Sequence, residues 1–110
     1  MDLSHQVVIL RLANEDVDFI FKWLQERSPF GANRWYAAFL DSAASLASDP
    51  LRYGLAPEAS SVTEAVRQCF FKTRAGRSYR ILFVVKGSEV RVLRVRGPGQ
   101  LNVEREGFDF

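Results

Sequence analysis

From Arg67 to Arg96 the chain alternates apolar and polar residues with a period of two. Three stretches carry it, Arg67–Arg74, Ser78–Lys86 and Glu89–Arg96, separated by Ala75-Gly76-Arg77 and by Gly87-Ser88. A period of two sends successive side chains to opposite faces, so each stretch reads as a strand, and linkers this short leave room only for antiparallel hairpins. Turn length then sets register. A three-residue loop at 75–77 pairs Arg74 with Ser78, which places Lys72 opposite Arg80 and Phe70 opposite Leu82. A two-residue turn with Gly at its first central position pairs Lys86 with Glu89, Val84 with Arg91 and Leu82 with Leu93. One face therefore holds Cys69, Phe71, Tyr79, Ile81, Phe83, Val85, Val90 and Val92, apolar enough to meet another layer. The other holds Gln68, Phe70, Lys72, Arg74, Arg80, Leu82, Val84, Arg91 and Leu93, nine residues without an acid among them.

Upstream the period is helical. The β-branched run Gln6–Leu12 predicts one more strand. Asn14 suits an N-cap, with Glu15, Asp16 and Asp18 at the positive end of a helix whose apolar stripe is Val17, Ile20, Phe21 and Leu24, widened by Phe19 and Trp23. Ser28-Pro29 ends it, since the residue before proline avoids the α region. After a short connection at Phe30-Gly31, a second helix spans about Ala32 to Ala47, with Trp35, Phe39, Ala43 and Leu46 on one stripe and Asp49-Pro50 as its stop. Residues 51–61 read as a loop, and 97–110, opened by Gly97-Pro98-Gly99, as an irregular tail in which Phe108 and Phe110 are candidates for docking. The expected fold is α+β, β-α-α-β-β-β, an antiparallel helical hairpin on one face of a small, mainly antiparallel twisted sheet, in one domain over residues 1–110.

Composition excludes several function classes. One cysteine, Cys69, rules out an internal disulfide, and with one histidine, His5, the chain lacks the ligands of a common zinc site. No run of about 18 apolar residues predicts a membrane span. Met1–Gln6 has no basic-then-apolar leader, so the cytoplasm is the default location. The net charge of +2 conceals an asymmetry: nine basic residues against Glu89 alone between Val66 and Arg96, a surplus of eight positive charges, leave the remainder at −6. Either a polyanion or acidic partner meets the basic segment, or the two parts neutralise each other across the fold.

Two cations directly opposite each other repel, so Lys72 beside Arg80 calls for an anion. A nucleic-acid phosphate is one candidate, with Arg74, Arg77 and Arg91 nearby and Phe70 able to stack a base. The alternatives are cations splayed into solvent, or a partner segment laid over Phe70, Leu82 and Leu93. Arg94 falls on the helix-packed side, where a salt bridge is the expected role. Trp23, Trp35 and Tyr79 read as structural, Cys69 as inert and His5 as a surface residue near the start.

The ordered set over about residues 6–100 resembles the RelE/ParE superfamily, toxins of bacterial type II toxin–antitoxin systems: the opening strand, the helix ending at Ser28-Pro29, the Trp35–Leu46 helix closing at Pro50, and Tyr79-Arg80-Ile81-Leu82-Phe83 hairpinned to Val90-Arg91-Val92-Leu93-Arg94-Val95-Arg96. The resemblance implies an antitoxin partner, with an acidic segment suited to the basic region, and no metal or cofactor. It implies one of two actions, ribosome-dependent mRNA cleavage or poisoning of DNA gyrase. A degenerate member or non-catalytic nucleic-acid-binding domain is the alternative. For cleavage, the resemblance assigns Arg80 and Lys72 to the scissile phosphate as catalytic residues, and the basic segment around them offers Arg74, Arg77, Arg91 and Phe70 as the expected nucleic-acid contacts. The pattern departs from active nucleases where their second lysine falls near Phe70, where a later basic residue falls near Gln100, and at Gly97, where many relatives carry histidine.

Overall fold

The structure, a computed structural model, describes residues 4–110. The part of the leader reading that rests on residues 1–3 lies outside the described residues. A short strand, β1 (Gln6–Ile9), leads into α1 (Arg11–Arg27) and α2 (Pro29–Ser45). Two 3-10 turns, Pro50–Arg52 and Pro57–Ser61, precede β2 (Arg67–Phe71), β3 (Tyr79–Lys86) and β4 (Glu89–Arg96), and a third, Arg105–Gly107, lies in the tail. The element order is the one expected. The sheet runs β1-β4-β3-β2, with β1 parallel to β4 and the other pairs antiparallel.

The first helix begins earlier than Asn14. The Leu10 amide donates to Val92 O at 3.0 Å, and Leu10 O accepts from the Asn14 amide at 3.0 Å, so the chain turns from sheet into helix at one residue. Leu10 is the N-cap and makes no side-chain cap bond. Asn14 lies within the helix and its amide group donates to Ile9 O at 3.2 Å. The apolar stripe explains the early start: Ala13, Val17 and Ile20 are buried, and Ala13 continues the helical spacing one turn back.

Phe30 and Gly31 are not a connection either. A single residue, Ser28, joins the helices: its amide closes α1 on Leu24 O, and its hydroxyl caps α2 by accepting from the Gly31 amide at 3.0 Å. Pro29 stands at the first helical position, where its missing N–H and fixed φ suit a helix start. Ser28→Ala should lower stability by about 1 kcal/mol, seen as a small fall in denaturation midpoint at unchanged slope.

The helices pack on the sheet face expected, where Trp35, Phe39, Cys69, Phe71, Ile81, Phe83, Val90 and Val92 share one core. Trp23 departs from its core reading; it is 47% exposed, with the Arg27 guanidinium 3.6 Å over its ring. His5 is half-buried rather than free at the surface, its amide bonded to Ala47 O at 2.8 Å.

The turn at Gly87-Ser88 forms as expected, with Gly87 at φ +61 and Lys86 opposite Glu89. Two registers differ. Strand β2 ends at Phe71, so β2 and β3 are joined by residues 72–78 rather than by three residues, and pairing is offset by two: Phe70 faces Arg80 and Gln68 faces Leu82. The Gly76 amide bonds back to Thr73 O at 3.1 Å, so the turn closes on Thr73 and draws Lys72 and Arg74 out of the ladder. An even offset keeps every residue on its face, which is why the core reading survives a wrong register. In β4 an irregularity at Leu82/Phe83 leaves Leu93 as the extra residue, so Leu82 meets Arg94 and Val95 joins the helix-side core.

The second sheet face is covered by the chain itself. Ala56, Val66, Leu82, Val84, Leu93 and Val103 form a second buried cluster, closed by Val62, Phe108 and Phe110. Phe108 and Phe110 stack with centroids 5.3 Å apart.

Candidate functional site

The anion that Arg80 calls for is supplied from within. Its cross-strand neighbours are Phe70 and Arg96, not Lys72. Glu58, in the Pro57–Ser61 turn, accepts from Arg80 through both carboxylate oxygens, Nη1 to Oε1 at 2.8 Å and Nη2 to Oε2 at 2.7 Å. Gln68 Oε1 at 3.2 Å and Asn102 Oδ1 at 3.0 Å take further guanidinium contacts. Glu58 Oε2 also accepts the Val103 amide at 2.9 Å. The Glu58 side chain is 0% exposed and that of Arg80 14%. A bidentate pair of this kind positions both planes and satisfies most donors. Burial alone would raise the Glu58 pKa; the Arg80 hydrogen bonds, the Val103 amide and the arginine charge outweigh it, and the net shift is downward.

The other arginines of the segment are similarly engaged. Arg94 donates to Asp16 in the second turn of α1, Nε to Oδ2 at 2.7 Å and Nη2 to Oδ1 at 2.9 Å, and to Gly107 O at 2.9 Å. The Asp16 bond raises the Arg94 pKa against burial. Asp16 also accepts the Val95 amide at 2.9 Å. Arg91 pairs with Glu89 at 2.5 Å and donates to Phe110 O at 3.1 Å. Arg67 donates to Tyr53 O at 2.7 Å, and Arg96 to Leu101 O. Much of the charge asymmetry is thus resolved internally, Asp16 and Glu58 from the acidic part meeting Arg94 and Arg80 from the basic part.

The six sequence-predicted site residues fall into two sets. Arg80 and Arg91 are held in ion pairs on the covered face. Lys72, Arg74 and Arg77 are exposed on the β2–β3 connection, beside Phe70 at 62% exposure. Glu58, Asp16 and Asn102 were not among the predicted residues. Nothing near Glu58 in sequence sets it apart from a solvated acid, and only the contact 22 residues away in Arg80 reveals it.

Gly97 is packed against Tyr79. A Cβ at 97 would lie 2.7 Å from Tyr79 Cε2, so a side chain here needs the tyrosine to move. Burial raises the Tyr79 and Cys69 pKa values. Among the described residues no cluster of His, Cys, Asp and Glu has the arrangement of a metal site, and no helix is long and apolar enough to cross a membrane.

Comparison with known proteins places this geometry. The family profile described as ParE toxin of type II toxin–antitoxin system, parDE, matches residues 7–100. A solved structure titled "Chromosomal ParDE TA system from P. aeruginosa" is similar with a TM-score of 0.67 at 20% identity, over 86% of this chain and 97% of that one, a likeness of fold. No curated protein matches the sequence.

Proposed function

The chain belongs to the ParE toxin family of type II toxin–antitoxin systems, and from that premise we propose that it arrests growth by binding a protein target, DNA gyrase being the one the family resemblance implies, and not by cutting mRNA. Its other partner is an antitoxin.

The observation that carries this reading is the Arg80–Glu58 pair. A catalytic arginine must offer free donors to a phosphate whose charge grows in the transition state. Here those donors face Glu58, Gln68 and Asn102, beneath the second cluster's cover. Lys72 is not opposite Arg80, so the two do not form the paired cation site that cleavage was expected to use. Gly97, packed on Tyr79, supports the same reading, because the position lacks room for a proton-transferring side chain.

Ribosome-dependent cleavage keeps one supporting observation, the exposed set Lys72, Arg74 and Arg77 beside Phe70. On the reading preferred here those cations meet acidic groups of the antitoxin or the target.

Pulse-labelling after induction in a bacterial host separates the two. Thymidine incorporation should fall first, with methionine incorporation following later, and the purified chain should inhibit gyrase supercoiling. Early loss of methionine incorporation with DNA synthesis intact would overturn the proposal and restore the basic connection as an RNA site.

A further inference from the structure

At the opposite side of the sheet from the Arg80 pair, the Ser28 end of the helical hairpin, the β2–β3 connection and the exit of β4 enclose a cavity of about 470 Å³. That volume lies in the range of small-molecule sites, roughly 300–1,000 Å³. Its walls are mainly apolar, with Ile20, Trp23, Trp35 and Tyr79 among them. No carboxylate lines it, and two cations do, Arg27 from α1 and Arg77 from the connection.

Of the residues lining this cavity, one has an unpaired buried donor and two are cations without an anion. Trp35 is 3% exposed, and its Nε1 is buried with no hydrogen-bond partner. An indole N–H is a donor only, and buried donors in folded proteins are almost always paired. Arg27 spends one donor on Trp23 O at 2.8 Å and stacks on the Trp23 ring, yet neither it nor Arg77 joins an ion pair among the described residues. The site therefore offers an aromatic slot, an indole N–H and two guanidinium groups, and its own acceptors, on Ser28, Thr73, Tyr79 and Gln100, are all uncharged.

We infer that this cavity binds a small aryl carboxylate, its ring between the aromatic walls, its carboxylate at the Arg27–Arg77 mouth, and an oxygen acceptor within reach of Trp35 Nε1. One planar anion meets all three demands, which neither an uncharged apolar ligand nor a phosphate without a ring does. The site shares no residue with the Arg80–Glu58 pair, and the inference stands whether the chain acts on gyrase or on mRNA.

The test uses the full chain, isotope-labelled, with 6-hydroxy-2-naphthoate as probe and neutral 6-hydroxy-2-naphthamide as control. Trp35→Phe identifies which of the two indole N–H resonances belongs to Trp35 and removes the donor while keeping an aromatic ring. The expected result is a saturable shift of the Trp35 indole resonance with naphthoate. Affinity should fall about tenfold for the amide and about tenfold in Arg77→Gln, an exposed position where folding is unaffected. Equal affinity for amide and carboxylate would overturn the inference. So would shifts confined to the exposed rings of Phe30 and Phe70, which do not line the cavity, or a Trp35 resonance that never moves. The amide comparison needs no variant, so a misfolded mutant does not leave the question open.

Discussion

Glu58→Ala should destabilise the protein by about 3–5 kcal/mol, because it leaves the Arg80 guanidinium in a largely buried place without its anion. In a domain of this size that corresponds to a fall in melting temperature on the order of 20 °C. The loss is larger than for an exposed pair such as Lys22–Asp18, whose removal should shift stability by less than about 1 kcal/mol. Acid should reproduce part of it. The folded-state pKa of Glu58 is depressed relative to the unfolded chain, so its stabilising contribution is complete above the ordinary glutamate value of 4.5 and is lost as pH falls through the lower folded value. Chemical denaturation of the wild type from pH 7 down to pH 3 should show that loss, and Glu58→Ala should show a shallower acid dependence. Equal slopes in the two proteins would mean that the pair contributes little.

The second expectation concerns toxicity. Arg80→Ala alone strands a buried carboxylate and should lose activity through unfolding, so the single variant cannot separate catalysis from structure. The double variant Glu58→Gln with Arg80→Met removes both charges and keeps an acceptor for the Val103 amide. Neutralising a buried pair together commonly restores most of the stability that either single change removes, here to within about 1–2 kcal/mol of wild type. Under the proposed function this protein still arrests growth, because Arg80 only holds the fold together. A catalytic arginine predicts the opposite, a loss of roughly 10²–10³ in rate and a harmless protein. Growth curves after induction, beside a thermal melt showing that the double variant is folded, decide between them.

Where the apolar period was dense, the fold was legible. The Trp35–Phe39–Ala43 stripe and the alternation from Tyr79 to Lys86 each repeat often enough to settle type and face, and Gly87 settles the β3–β4 register beside the turn, as far as the irregularity at Leu82/Phe83. The β2–β3 register was not legible, since Ala75-Gly76-Arg77 looks like a tight loop while the closing contact is Thr73 with Gly76. The cover over the second sheet face was hidden for a different reason. Phe108 and Phe110 stood out as candidates for docking without the face they dock on, while Ala56, Val66 and Val103 sit in coil, where no period announces burial. An anion at Arg80 was expected from a pairing with Lys72 that does not form; Arg80 faces Phe70 and Arg96, and its anion is Glu58. A sequence shows which charges lack a near neighbour, while the carboxylate that reaches them from a distant loop is a property of the closed fold.

The parallel pairing of β1 with β4 has a consequence for synthesis. The sheet partners of residues 6–9 lie at 88–92, so the opening strand has no sheet to join until four-fifths of the chain has been made. Such long-range closure is slow compared with forming the local helical hairpin. Asp16 likewise waits for Arg94, and Glu58 for Val103. A nascent chain emerging from the ribosome is therefore held short of its native sheet until translation is nearly complete, and a truncated product should be harmless to the cell that makes it. The interval also leaves the unpaired edge of a half-made sheet exposed, the stage at which an antitoxin already present would meet it.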